Sequence, residues 1–373
     1  MKEASFYILD ENSAKEINSS EFALDRFLKR ANKHIIYIKN ISTTAANILK
    51  QDAISVNAVV LNHKNTILGG DFKYDSILLV DEINLKDLSN KLKLQQFSCK
   101  RLAKFLDELK ISKKYPKIMG IMNINDDSFY ESSRINEKIF LQKVYEFIEN
   151  NASIIDIGAM SSRPNSNYLG AKLELNRLKP IFKLIKEHKL NEKIEFSLDS
   201  FDEQCHKNAL DLGFKYVNDI SANTKLSKLA LSYDATYILM HSKNNYIDNY
   251  INKSGLKICN SDSKFFILNS VYEFFLEKLS EIESKVMIDV GIGFGKSEYE
   301  NLVLIKYLNH FKTLNKPILL AASNKKLFGT YKEPQSLLTH ANSNADYIRV
   351  HNVAEQNAVI NYLKKMDEIW KNI

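Results

Sequence analysis

The stretch SIIDIGA (residues 153–159) decides the fold. Its residues are almost continuously apolar and β-branched, broken only by Asp156 near the end. A short run of this kind is a strand buried on both faces, as in a parallel sheet. Before it lies NEKIFLQKVYEFIENN (136–151), in which Ile139, Val144, Phe147 and Ile148 share one helical face. Working outward, the same alternation recurs. The other runs are KIMGIMN (117–123), EFSLDS (195–200), YVNDIS (216–221), TYILMH (236–241), VMIDVGI (286–292), PILLAAS (317–323) and DYIRVHN (346–352). Eight strand-helix units over roughly 250 residues have the size and rhythm of a TIM barrel. A doubly wound sheet is the alternative, and eight units in a row favour closure.

Nearly every run ends in a polar residue: Asn123, Asp156, Asp199, Asn218, Asp219, His241, Asp289, Ser323, Arg349 and His351. One such residue is an ordinary turn or helix cap. A full series marks the C-terminal mouth, where such barrels place their chemistry.

The chain has 373 residues, 45% of them hydrophobic and 26% charged, which predicts a soluble globular protein. No run of about 18 uncharged apolar residues occurs, so no membrane span is expected. The first residues show no secretory pattern, and a cytoplasmic location is expected. Cys99, Cys205 and Cys259 are odd in number and lack metal-ligand spacing, and are expected to be reduced. The net charge of +7 comes from scattered lysines, with no arginine-rich block and no interleaved aromatics of a strand-binding groove, and a small anionic substrate fits this balance as well as nucleic acid does. Only seven residues are arginine, Arg163 and Arg349 among them. Their planar forks suit carboxylate or phosphate.

Residues 1–112 break the rhythm. FYIL (6–9), HIIYIKN (34–40), AVVLNH (58–63) and SILLVDE (76–82) are strand candidates; TAANILKQ (44–51) and the long LKDLSNKLKLQQFSCKRLAKFLDELK (85–110) are helical ones. The expectation is a small α/β N-terminal domain (1–112) followed by the (β/α)8 barrel domain (117–373).

The glycine-rich IDVGIGFGKS (288–297) imitates two nucleotide motifs and fits neither. A P-loop needs glycine where Val290 stands, and a dinucleotide fingerprint needs it at Lys296. Alternating glycines either make a tight strand-to-helix turn or clear one face of a backbone ribbon, so that a flat ring can lie against it. Asp289 beside it can accept two parallel N–H donors from a guanidine-like edge, such as that of guanine or a pterin.

The order of these motifs resembles dihydropteroate synthase. The carrying stretches are GIMNINDDSF (120–129), DIGAMSSRPN (156–165), SLDS (197–200), VNDIS (217–221), ILMH (238–241), IDVGIGFGKS, LLAASNKKLFG (319–329) and IRVHNV (348–353). The resemblance implies that 6-hydroxymethyl-7,8-dihydropterin diphosphate is joined to p-aminobenzoate, giving 7,8-dihydropteroate and pyrophosphate. It implies pterin contacts from Asp199, Asn218, Met240, Asp289, Gly293, Phe294 and Lys325. It places the diphosphate and p-aminobenzoate near Ser162, Arg163, Ser323, Arg349, Val350 and His351. Asn123 would ligate Mg²⁺, and Asn123, Arg163, Lys325, Arg349 and His351 would carry the catalysis. A homodimer and sulfonamide sensitivity are further implications; KFFILNSVYEFFLEKL (264–279) is the interface candidate, and packing on the barrel is its alternative.

The chain departs from the pattern at Asn125-Asp126, Ala159-Met160, Val290, Ala321 and Asn324, mostly in loops. These departures keep open a pterin-binding paralogue without synthase activity. A pterin-dependent methyltransferase is the third possibility. Retention of Arg163, Ser323, Lys325, Arg349 and His351 argues against it, because a methyl donor has no diphosphate to hold.

Overall fold

The protein is represented by a computed structural model, which describes residues 20–96, 98–109, 115–124, 134–159, 170–242 and 266–368. The chain divides into two compact units, Met1–Ser112 with Asp367–Ile373, and Lys113–Met366.

The smaller unit begins with α1 (Glu21–Ala31), capped by Ser20, whose hydroxyl accepts from the Ala23 N–H. There follow β1 (Lys33–Ser42), α2 (Thr43–Ser55), β2 (Val59–Asn62) and β3 (Lys73–Asp81). The three strands form an antiparallel sheet in the order β1-β3-β2. FYIL lies outside the described residues. The long helical candidate is two helices, α3 (Glu82–Lys93) and α4 (Cys99–Glu108). One unbroken helix would carry Cys99, Ala103 and Leu106 away from Leu88 and Leu92. Turning back buries all five in one core with Leu49, Leu78 and Val80. Ser89 on α3 locks the turn by donating to the Ala103 carbonyl and the Asp107 carboxylate on α4.

The larger unit is a closed barrel of eight parallel strands: β4 (Lys117–Asn123), β5 (Ala152–Gly158), β6 (Glu195–Asp199), β7 (Tyr216–Asp219), β8 (Thr236–Met240), β9 (Lys285–Asp289), β10 (Ile318–Leu320) and β11 (Tyr347–Val350). Each strand coincides with one expected apolar run, and β11 pairs with β4 to close the ring. The helices between them are α5 (Arg134–Glu149), α6 (Ala171–Glu187), α7 (Glu203–Asp211), α8 (Thr224–Ser232), α9 (Phe266–Glu281), α10 (Glu298–Lys306), α11 (Lys332–Ala341) and α12 (Val353–Glu368).

The two-residue period of a strand separates two cores. Ile155, Leu198, Val217, Leu239, Ile288, Leu320 and Ile348 pack outward against the helices. Met119, Ile154, Tyr216, Ile238, Met287 and Leu319, with Tyr347, fill the barrel interior. The helix α9 includes most of the interface candidate and packs on the barrel through Ile267, Leu268, Val271, Phe274 and Phe275. Cys99 and Cys205 are buried free thiols; Cys259 lies outside the described residues. No helix among the described residues is long and apolar enough to cross a membrane.

Candidate active site

Stepping two residues along each strand from the interior apolar layer reaches a polar layer at the barrel mouth. Ile154 leads to Asp156, Tyr216 to Asn218, Ile238 to Met240, Met287 to Asp289, and Tyr347 to Arg349. Two further steps from Met119 and Leu319 give Asn123 and Ser323. Residues from distant parts of the sequence therefore converge because of strand pleat alone.

Arg349 sits at the centre. Its Nε donates to Asp156 Oδ2 at 2.6 Å and its Nη2 to Asp199 Oδ2 at 2.5 Å. Asp156 Oδ2 also accepts from the Asn218 amide at 3.0 Å, while Asp156 Oδ1 is buried without a partner. Burial pushes the Asp199 carboxyl up to about 6, against the pull of the Arg349 guanidinium. Burial lowers the Arg349 pKa, and Asp156 and Asp199 more than offset this, raising it. The Asn123 amide oxygen comes up beside Gly158 and Asp199, close to the space a Cβ on Gly158 would fill, at 3.3 Å.

Asp289 is raised by burial and lowered in part by the Gly291 N–H, which donates to its Oδ1 at 2.8 Å. The glycine loop after β9 is held from beneath by Lys296. Its ammonium donates to the carbonyls of His241 (3.0 Å), Gly291 (2.7 Å) and Phe294 (3.3 Å). Ser297 caps α10 in a reciprocal box with Glu300. Gly291 has φ +67, and a Cβ there would meet the His241 carbonyl oxygen at 1.9 Å, so only glycine fits. Across the mouth the Lys325 ammonium lies 4.7 Å from the centre of the Phe294 ring, and its side chain runs beside Gly293. Burial lowers the Lys325 pKa, with Asp289 opposing.

At the end of β10, Ser323 Oγ is 2.9 Å from His351 Nδ1 and accepts from the His351 backbone N–H at 3.3 Å. The hydroxyl can donate to Nδ1 or accept from it, so this contact places the ring without fixing its tautomer.

A family model described as pterin-binding enzyme matches residues 119–359. A bifunctional dihydropteroate synthase/dihydropteroate reductase from Helicobacter pylori is 33% identical over 377 residues, covering 96% of each chain. The chain belongs to the dihydropteroate synthase family. A dihydropteroate synthase from Clostridium beijerinckii is 30% identical and covers 64% of this chain and 89% of its own length. Among solved structures, a dihydropteroate synthase from Clostridium difficile, obtained in the presence of pteroic acid, is 27% identical with a TM-score of 0.56. It covers 69% of this chain and 99% of its own. A second, from Anaplasma phagocytophilum with bound 6-hydroxymethylpterin-monophosphate, has a TM-score of 0.57 at 21% identity and shares the fold. It covers 68% of this chain and all of its own.

In this member of the dihydropteroate synthases the barrel mouth gathers Asn123, Asp199, Asn218, Met240, Asp289, Gly293, Phe294, Ser323, Lys325, Arg349 and His351. It does not bring in the side chain of Val350, which points outward among Ile348 and Val353 in the helix-facing core, 1% exposed. The strand period reverses faces between Arg349 and Val350, so only the Val350 backbone adjoins the mouth. Ser162 and Arg163 lie outside the described residues, as do Asn125 and Asp126. Asp156 is the residue that the sequence-based site omits. Its signal was present, a strand-end carboxylate, but its bonds to Arg349 and Asn218 appear only when the barrel closes.

Proposed function

We infer that the chain is a dihydropteroate synthase, a transferase that condenses 6-hydroxymethyl-7,8-dihydropterin diphosphate with p-aminobenzoate. The observation that carries this is the mouth itself: three strand-end groups, Asp199, Asn218 and Asp289, face Lys325 and Arg349 over a cleared glycine ribbon. Carboxylates and an amide in that arrangement match a 2-amino-pyrimidinone edge, which offers N–H donors beside an acceptor. Met240 and Phe294 give the apolar walls.

The chemistry asked of these residues is charge stabilisation. The bond from the exocyclic carbon to the diphosphate oxygen breaks, and the electron pair leaves with pyrophosphate. The amine lone pair of p-aminobenzoate then forms the C–N bond, and the amine loses a proton. Asp199 and Asp289 favour the electron-poor pterin ring. His351 and Arg349, whose Nη1 is outside both of its ion pairs, suit the departing anion, with Arg163 and Ser162 proposed beside them. No protein nucleophile is required.

Magnesium fits the residues present. Mg²⁺ takes few protein oxygens and completes its shell with substrate phosphate and water. Asn123 Oδ1 is one such oxygen, at an exposed strand end beside Asp199. When bound, the ion would neutralise charge on the diphosphate. A homodimer and a cytoplasmic location complete the proposal.

The match to the Helicobacter pylori protein runs end to end and includes the smaller unit. This favours a second activity, reduction of the dihydropteroate product with a reduced flavin or nicotinamide as hydride source.

The test is pyrophosphate and dihydropteroate formation by the purified chain with both substrates and Mg²⁺. Absence of product, with pterin still bound, would leave only the paralogue. Oxidation of reduced flavin or nicotinamide on adding dihydropteroate tests the second activity.

A further inference from the structure

A buried hydrogen-bond chain runs behind the turn that carries Ser323 and Lys325. The Ala322 N–H, one residue before Ser323, donates to His340 Nε2 at 3.1 Å. His340 Nδ1 lies 3.2 Å from Gln356 Oε1, and the Gln356 amide donates to the Leu337 carbonyl at 3.2 Å. His340 and Gln356 are fully buried. They stand on α11 and α12, so the chain ties both helices to the end of β10.

Every proton in this chain is determined. A backbone N–H can only donate, so Nε2 must be an acceptor. The imidazole is therefore neutral with its proton on Nδ1, directed at the Gln356 oxygen. The Gln356 nitrogen then faces the Leu337 carbonyl, as observed. Beyond Ala322 the chain passes through Ser323, bonded to His351, and Asn324, held at φ +55, to Lys325. Asparagine tolerates this left-handed conformation better than most residues.

We propose that His340 is a positioning residue for the synthase reaction, whose neutral Nδ1–H imidazole aims the Ser323–Lys325 turn at the barrel mouth. The proposal rests on the synthase reading above. Burial holds the His340 pKa down at about 4, the Gln356 bond opposes this, and His351 adds to it. Among the described residues His351 is the titratable side chain that bears on it. The imidazole thus stays neutral throughout the working range.

The test uses the full chain and steady-state turnover of both substrates across pH. Gln356→Glu places a carboxylate against Nδ1–H and favours the imidazolium. Nε2 would then carry a proton facing the Ala322 N–H, two donors opposed. The expected result is a new acidic limb in kcat/KM near neutral pH, absent in wild type and abolished by adding His340→Gln. His340→Gln alone keeps one acceptor and one donor and should stay within a few-fold of wild type. His340→Leu should lose roughly 10- to 100-fold, the cost of a reacting group displaced by about 1 Å. A flat profile for Gln356→Glu, or wild-type turnover in His340→Leu, would overturn the proposal. Nitrogen-15 spectra of the wild-type imidazole give a separate decision. Protonation at Nε2 refutes the assignment even if the synthase reaction is confirmed. Failure of wild-type turnover refutes the synthase reading while the tautomer remains measurable.

Discussion

Arg349 on β11 reaches across the barrel to Asp156 on β5, Nε to Oδ2, at 2.6 Å, joining residues 193 apart in sequence. The same guanidinium holds Asp199 on β6, so one cation fixes two carboxylates at the barrel mouth. The pair is largely withdrawn from water, with side chains 18% and 0% exposed.

Removing one member of such a pair leaves an uncompensated charge. Arg349→Ala should destabilise the fold by about 3 kcal/mol and lower kcat/KM by at least ~100-fold. Adding Asp156→Asn relieves one of the two stranded charges and leaves Asp199. The double variant should recover part of the stability in urea unfolding but not turnover. Recovery of both would show that Arg349 serves only the fold.

Glu174 gives a stability prediction with a sign. It lies on the first turn of α6, 1% exposed, with Oε1 buried and unpartnered, and burial pushes its carboxyl up from 4.5 to about 7. The folded state keeps a proton that the unfolded chain releases. Its contribution is whole below pH 4.5 and is lost as pH rises through 7. Glu174→Gln should therefore raise stability above pH 7 by on the order of 2 kcal/mol, with little gain at pH 4. An equal gain at both pH values would contradict this.

Gly291→Ala tests the loop. Its Cβ would meet the His241 carbonyl oxygen at 1.9 Å, in a backbone conformation alanine resists. The expected loss is ~2–4 kcal/mol with loss of pterin binding by calorimetry. Gly69→Ala, at φ +70 and ψ −155 with open space around it, meets no atom, so its loss of ~1–3 kcal/mol would come from backbone strain alone.

Asn123→Ala tests the metal assignment. The Mg²⁺ concentration for half-maximal turnover should rise roughly tenfold or more, in line with the loss of one ligand oxygen, while pterin affinity without Mg²⁺ stays unchanged. An unaltered Mg²⁺ dependence would remove Asn123 from that role.

The barrel was legible because buried parallel strands write themselves as apolar runs, and all eight runs from KIMGIMN to DYIRVHN became strands. The mouth was legible because strand ends are fixed by the same pleat. Val350 escaped because the resemblance names positions, whereas the pleat decides which side chains point inward. The break between α3 and α4 escaped because helical period persists across it; only the shared core of Leu88, Leu92, Ala103 and Leu106 calls for the turn. The chain through Ala322, His340 and Gln356 has no local signature, because its members stand 18 and 16 residues apart. Helix α1 went unassigned although Leu24, Phe27, Leu28 and Ala31 stand at helical spacing, and none of its side chains is buried.

Lys296 has one more consequence. Its three carbonyl bonds settle the shape of the glycine loop when the barrel folds, before any ligand arrives. A ligand meeting that surface loses little freedom in ordering it. A bare bicyclic pterin fragment, without its diphosphate, should thus bind with high affinity per heavy atom, and inhibitors are best grown outward from the ring.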